Sequence, residues 1–200
     1  MIQHTFGLLV KPASQWQEIA KLPEKSLNIL MLYPCIFAIL PAVAWFYGTS
    51  QVGWTVGDSS DAIKLTVASA RQISILFYFG MIGCVAAIGY SIHWMARTYG
   101  ANSSFAKGIV IAGLTATPLF ITGLVGFQPV LWVDLLIGVA AVSWSVYLLY
   151  LGIPIVMGIP EERGFLFSSA VLAIAMVILI CLMVSSVMLW DMGAAPAFTD

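Results

Sequence analysis

The chain has 200 residues, of which 61% are hydrophobic and 8% charged, and its formal net charge is −1. Soluble domains carry about 25% charged residues, and a fold of this size in water cannot hide so much apolar material. The composition excludes an ordinary soluble enzyme. The near-neutral balance gives no basic footprint for nucleic acid and no large basic patch for anionic head groups.

Residues 1–26 are mixed in character and lack the charged start, short apolar core and cleavage site of a secretory signal. They read as a cytoplasmic amphipathic segment. Pro12 suits a first helical position. Trp16, Ile19 and Ala20 fall on one helical face, flanked by Gln15, Glu18 and Lys21. A short helix over 12–22 then lies on the bilayer surface or caps the rest of the protein.

Charged residues fence off five apolar runs, bounded by Lys25 and Asp58, Arg71 and Arg97, Lys107 and Asp134, Asp134 and Glu161, and Arg163 and Asp191. Each exceeds the roughly 20 residues a spanning helix needs. The runs do not alternate in polarity as barrel strands do, and a lone segment in hydrocarbon must satisfy its own backbone. The fold class is therefore all-α, a polytopic membrane bundle with spans near 27–48, 72–96, 106–126, 130–152 and 165–190, and a tail over 191–200.

Lys11, Lys21, Lys25, Arg97, Lys107 and Arg163 fall on one side of such a bundle, and Lys64 and Arg71 on the other. The positive-inside rule places the first set, and the amino terminus, in the cytoplasm and the carboxyl terminus in the periplasm. Trp54, Trp132 and Trp190 then sit near the outer interface.

The long loop over 49–71 is external. Asp61 to Ala70 carries no Gly or Pro and is expected to extend the second helix outward, with Asp58, Ser59 and Ser60 as candidate caps. Phe127-Gln128-Pro129 forces a tight hairpin between the third and fourth spans. Pro34, Pro41, Pro118 and Pro154 fall within or at the ends of spans, where each frees a carbonyl and bends the helix. Thr115, Thr117 and Thr122 flank Pro118 and can take up that carbonyl. The bend is a fixed kink or a hinge at a substrate opening. Gly83, Ala87 and Ser91 form a small-residue stripe suited to close helix approach, as do Ala112 with Ala116 and Ala141 with Ser145.

Four groups of residues are candidates for function. His93, Arg97, Lys107 and Arg163 gather near the cytoplasmic side as a lipid-phosphate or anion contact, or simply as topology-setting charge. Thr115, Thr117, Pro118 and Asp134 form a polar or kink site, with Asp134 a proton or cation site or an interfacial carboxylate. Glu161 and Glu162 form a docking loop or a solvated turn. The Gly83 stripe packs helices within the chain or between copies. Cys35, Cys84 and Cys181 each lie in an apolar run and read as small hydrophobes, with no disulfide or metal spacing. No Gly-rich phosphate loop or nucleophile elbow occurs, so neither a cofactor nor a catalytic site is expected.

Three stretches, in order, resemble the Yip1 domain family, in its bacterial inner-membrane branch. Lys11-Pro12 followed by Trp16 and Ile19 resembles its start. Gly100-Ala101-Asn102-Ser103-Ser104-Phe105 leading to Ala116-Thr117-Pro118-Leu119 resembles its small-polar segment and kinked third span. Tyr147 to Pro154, running into Met157-Gly158-Ile159-Pro160-Glu161-Glu162-Arg163, resembles the ending of the bacterial branch. The resemblance implies five helices with a cytoplasmic amino terminus. Eukaryotic members of the family bind Rab-type GTPases through a long cytosolic tail. With about 26 residues there, this chain is not expected to.

The expectation is a non-enzymatic membrane organiser, whose partners are membrane lipids, other membrane proteins or a second copy of itself. The alternative is a small transporter, channel or lipid-moving protein built around the kinked third span. A polar cavity at mid-membrane depth would favour the alternative, and a dry, tightly packed bundle would oppose it.

Overall fold

A computed structural model describes residues 2–54, 62–101 and 103–199, without the side chains of residues 2–4. Every named element in it is helical. Two short helices, α1 (Ile2–Val10) and α2 (Pro12–Ala20), precede the first span. That span, Glu24–Val52, is a chain of short pieces: α3 (Glu24–Leu30), α4 (Tyr33–Phe37), α5 (Ile39–Tyr47) and a π turn over Gly48–Val52. Pro34 and Pro41 account for the segmentation, because proline has no N–H to donate and its ring crowds the preceding turn.

The second span is α6 (Val67–Met95). The third is broken into α7 (Phe105–Thr115) and α8 (Thr117–Thr122), the latter followed by a 3-10 turn over Gly123–Phe127, and the two halves meet at 42°. The fourth is α9 (Leu131–Met157) and the last is α10 (Glu161–Leu189), prolonged by a π turn to Ala194. Four helices are long and apolar enough to cross a membrane, and the bent third pair makes five. The expected hairpin at Phe127-Gln128-Pro129 is present, with α9 opening two residues later.

One expectation needs correction. The second helix does not reach back to Asp61. It begins at Val67, capped by the Thr66 side chain, which accepts from Ser69 N at 3.3 Å. The residues before it are extended because their backbone is engaged elsewhere. Ile63 and Trp54 exchange bonds at 2.8 and 3.0 Å, Thr66 N donates to Ala197 O at 2.8 Å, and Thr199 N donates to Lys64 O at 2.9 Å. Asp58, Ser59 and Ser60 lie outside the described residues. The tail after α10 is thus clasped to the loop before α6, with Trp54 edge-on to Phe198. Loop and tail share one end of the bundle, as five crossings require.

Glycine sockets hold the bundle together. The bent first and third spans interlock: Pro34 fills the space over Gly113, Pro41 that over Gly123, and Trp45 that over Gly126, while Gly48 lies against the carbonyl of Gly126. Second and third spans meet where Gly89 faces the backbone of Ile109 and Gly108 faces the carbonyl of Gly89. Without a hydrophobic drive between helices in lipid, such close backbone approach supplies the van der Waals contact that holds them. The stripe expected over Gly83, Ala87 and Ser91 does not make these contacts. Gly83 has nothing within 4 Å of an added Cβ, and the inward face of α6 runs instead through Val85, Gly89 and Ile92.

The amphipathic segment is a packed cap rather than a helix on the bilayer surface. Trp16 and Ile19 are fully buried, and the Trp16 indole fills the socket over Gly152 of α9. Polar Gln17, Glu18 and Lys21 face outward. Ahead of α2, α1 buries Thr5 and Leu8 and sets Leu9 in a groove beside Pro118 and Ala141.

Candidate functional site

The break in the third span is where polar groups enter the apolar interior. Pro118 occupies the second position of α8, where its missing donor costs least. Thr117, fully buried, shares a 2.8 Å hydrogen bond with the Tyr33 hydroxyl from the broken first span. Thr5 of α1 donates to the same hydroxyl at 3.3 Å. Three hydroxyls from three separate elements thus meet at one point, at the level where both spans are bent. Thr122 donates to the carbonyl of Pro118 itself at 2.8 Å, a bond within its own helix, and not to the Leu114 carbonyl that the missing proline donor leaves free. The Thr115 hydroxyl is enclosed without a partner.

Thr115, Thr117 and Pro118 are therefore at the break as expected. Asp134 is not brought to them. It stands in the first turn of α9 and lines a separate open groove with Trp45, Leu135 and Val139, one carboxylate oxygen enclosed without a partner. The described grooves are open and walled almost wholly by apolar side chains, and none gathers Thr115, Thr117 and Asp134. Tyr33 and Thr5 complete the hydroxyl cluster and were missed. The available signal was a lone phenol one residue before Pro34 in an otherwise apolar run, since a polar tip in hydrocarbon needs a partner.

The expected cations lie at the opposite end from the clasp, at the end of α6 and the starts of α7 and α10. Gly100, with φ of 74°, leaves only enough room for the Arg163 guanidinium, which lies 3.0 Å from where a Cβ would stand. Arg97 accepts from Gly100 N through its carbonyl at 3.1 Å and is itself exposed. Lys107 is half-buried in the first turn of α7, where its N–H meets the capping Ser104 hydroxyl. His93 stands edge-on to Phe105 with Nδ1 enclosed and unpartnered. Glu161 and Glu162 are exposed in the first turn of α10, where negative charge complements the helix dipole. Arg163 follows them on the same turn. Beyond it, Gly164 seats the Pro154 ring and Tyr150 shares a 2.8 Å bond with Ser169, so α9 and α10 are locked at this end.

Comparison with known proteins fits this architecture. The Yip1 domain model matches residues 6–183. The chain belongs to the Yip1 domain family. Two curated members, each named inner membrane protein YohC, come from Escherichia coli strain K12 and Escherichia coli O6:H1. Each is 38% identical over 192 residues, covering 96% of this chain and 98% of the relative. No solved structure matches. With helices enough for four to five crossings and relatives of this kind over nearly its whole length, the chain is a multi-pass inner-membrane protein. The Yip1 match begins within α1 and ends inside α10, so the packed cap belongs to the family domain, while the tail half of the clasp lies past its end.

Proposed function

We propose that this Yip1-domain chain is a non-enzymatic organiser of the inner membrane that works through contacts with lipids, with other membrane proteins or with a second copy of itself. The observation that carries this reading is how the bundle distributes its burial. The bent spans are sealed against each other by proline and tryptophan in glycine sockets, and Thr5, Tyr33 and Thr117 satisfy one another at the break. None of the described grooves opens a polar path through that interior. The outer faces are open: only 6% of the most apolar stretch of the last span, and 11% of that in α6, is buried, against 39% in the first. An organiser needs a rigid body with large lateral faces, and a carrier needs a polar path. In this reading the amino terminus is cytoplasmic, on the side of Arg97, Lys107 and Arg163, where the cations meet lipid phosphates, and Glu161 and Glu162 face cytoplasmic partners.

The test is cysteine cross-linking in native membranes. With Cys35, Cys84 and Cys181 replaced by Ala, a single cysteine at Met183, on the exposed face of α10, gives discrete adducts with itself or with one recurring protein. Sealed vesicles containing the purified chain stay as ion-tight as empty ones. Monomer under all oxidising conditions, together with leaky vesicles, overturns the proposal. That outcome would support the transporter reading, for which the unpartnered Thr115 hydroxyl is the favouring observation.

A further inference from the structure

Between α5 and the start of α6 runs an open groove. Its floor is made by Ile39, Val43 and Phe46, at helical spacing on α5, and by Ile75 and Phe79 on α6. Tyr78 adds an apolar wall, because its hydroxyl is turned away to the Cys35 carbonyl at 3.0 Å. Arg71 and Ser74 also line the groove, one turn apart, and Arg71 is exposed.

The two helices are antiparallel, and this fixes which end of the groove is which. Phe46 lies near the loop-side end of α5 and Arg71 near the loop-side end of α6. Ile39 and Phe79 lie deeper. The groove is thus charged and hydroxylated at the interface and purely apolar toward mid-membrane. From Arg71 to Phe79 it covers about 12 Å at roughly 1.5 Å per residue, close to the ~15 Å of one leaflet's hydrocarbon. No carboxylate lines it.

We propose that this groove binds one anionic phospholipid of the leaflet facing the 53–66 loop. The guanidinium of Arg71 and the hydroxyl of Ser74 hold its phosphate, and an acyl chain lies along Ile75, Val43 and Phe79. Arginine presents a planar fork of donors matched to phosphate oxygens. A zwitterionic head group would bring an ammonium to a place where nothing pairs with it. Neighbouring grooves lack this complementarity. The one between α6 and α10 carries no cation, and its Ser185 and Ser186 donate to carbonyls of their own helix. The groove beside α9 carries Asp134, which repels phosphate. The proposal does not depend on the organising role, since a lipid can be held here by a chain of any function.

The experiment uses the full chain, delipidated in mild detergent and titrated with dioleoyl phosphatidylglycerol or dioleoyl phosphatidylethanolamine, with binding read by native mass spectrometry. One phosphatidylglycerol binds roughly fivefold more tightly than phosphatidylethanolamine, the factor expected for one interfacial cation. Arg71→Gln abolishes the preference and Arg71→Lys keeps most of it. Val43→Trp, which fills the groove from an exposed position, weakens both lipids. A photoreactive phosphatidylglycerol labels peptides within 39–46 and 71–79 of the unaltered chain. This last measurement stands even if a variant fails to fold. Absence of any preference in the unaltered chain, a preference that survives Arg71→Gln, or label falling on 96–107 instead would each overturn the proposal.

Discussion

Replacing Tyr33 by Phe removes a single hydroxyl to which two others are bonded. Thr117, fully buried, loses a 2.8 Å bond, and Thr5 loses a longer one of 3.3 Å. Hydrogen bonds between helices in a membrane contribute about 0.6 kcal/mol each on average and up to about 1.7. The short bond belongs at the upper part of that range and the long one at the lower, so Tyr33→Phe should cost about 1–2 kcal/mol. Thr117→Val keeps the shape and removes the same short bond from the other side, at a cost of about 1 kcal/mol. Once Tyr33 is Phe, Thr117→Val removes a hydroxyl that has already lost this bond and should cost almost nothing. Equilibrium unfolding of the four proteins in mixed micelles, followed by circular dichroism, gives the coupling directly. Effects that simply add within about 0.3–0.5 kcal/mol would refute the assignment of this cluster as a joint between the bent spans.

A side chain at Gly89 meets the Ile109 backbone at 2.7 Å, so Gly89→Val should exceed the usual 1–3 kcal/mol of overpacking and abolish monodisperse protein on size exclusion. Gly83→Ala meets nothing and should raise helix stability by up to about 1 kcal/mol. Gly152→Leu occupies the place of the Trp16 indole, and trypsin should then cut after Lys21 at least several times faster, as it should in Trp16→Ala, whose lost burial costs about 3–5 kcal/mol. Ending the chain at Ala194 removes the acceptor of the Thr66 amide. Hydrogen exchange at Thr66 should accelerate sharply while α7 and α9 keep their protection.

The long apolar helices and their positions were legible because charged residues are too costly in hydrocarbon to be placed casually. The fences at Lys25, Arg97, Lys107 and Glu161 each fall within a few residues of a helix end. The hairpin at Gln128-Pro129 and the break at Pro118 were legible for a backbone reason, the missing proline donor. Packing was harder to read. Spacing picks out Gly83 as readily as Gly89, and only the position of Ile109 on another span distinguishes them. The hydroxyl cluster joins residues 5, 33 and 117, and no local pattern links positions so far apart. The start of α6 was misplaced because Asp61 to Ala70 does lack helix breakers. What draws Leu65 and Thr66 out of a helix is the tail, more than a hundred residues further on.

The seat of Trp16 has a consequence for biogenesis. Its socket, Gly152, is roughly 130 residues downstream, and the groove that Leu9 helps to line is walled partly by Pro118 and Ala141. At about 5–20 residues per second of synthesis, the first twenty residues wait on the order of ten seconds before their docking surface exists. Throughout that interval an aromatic, amphipathic segment is available to whatever stands beside the insertion machinery. The fourth helix, on arriving, must take it from there.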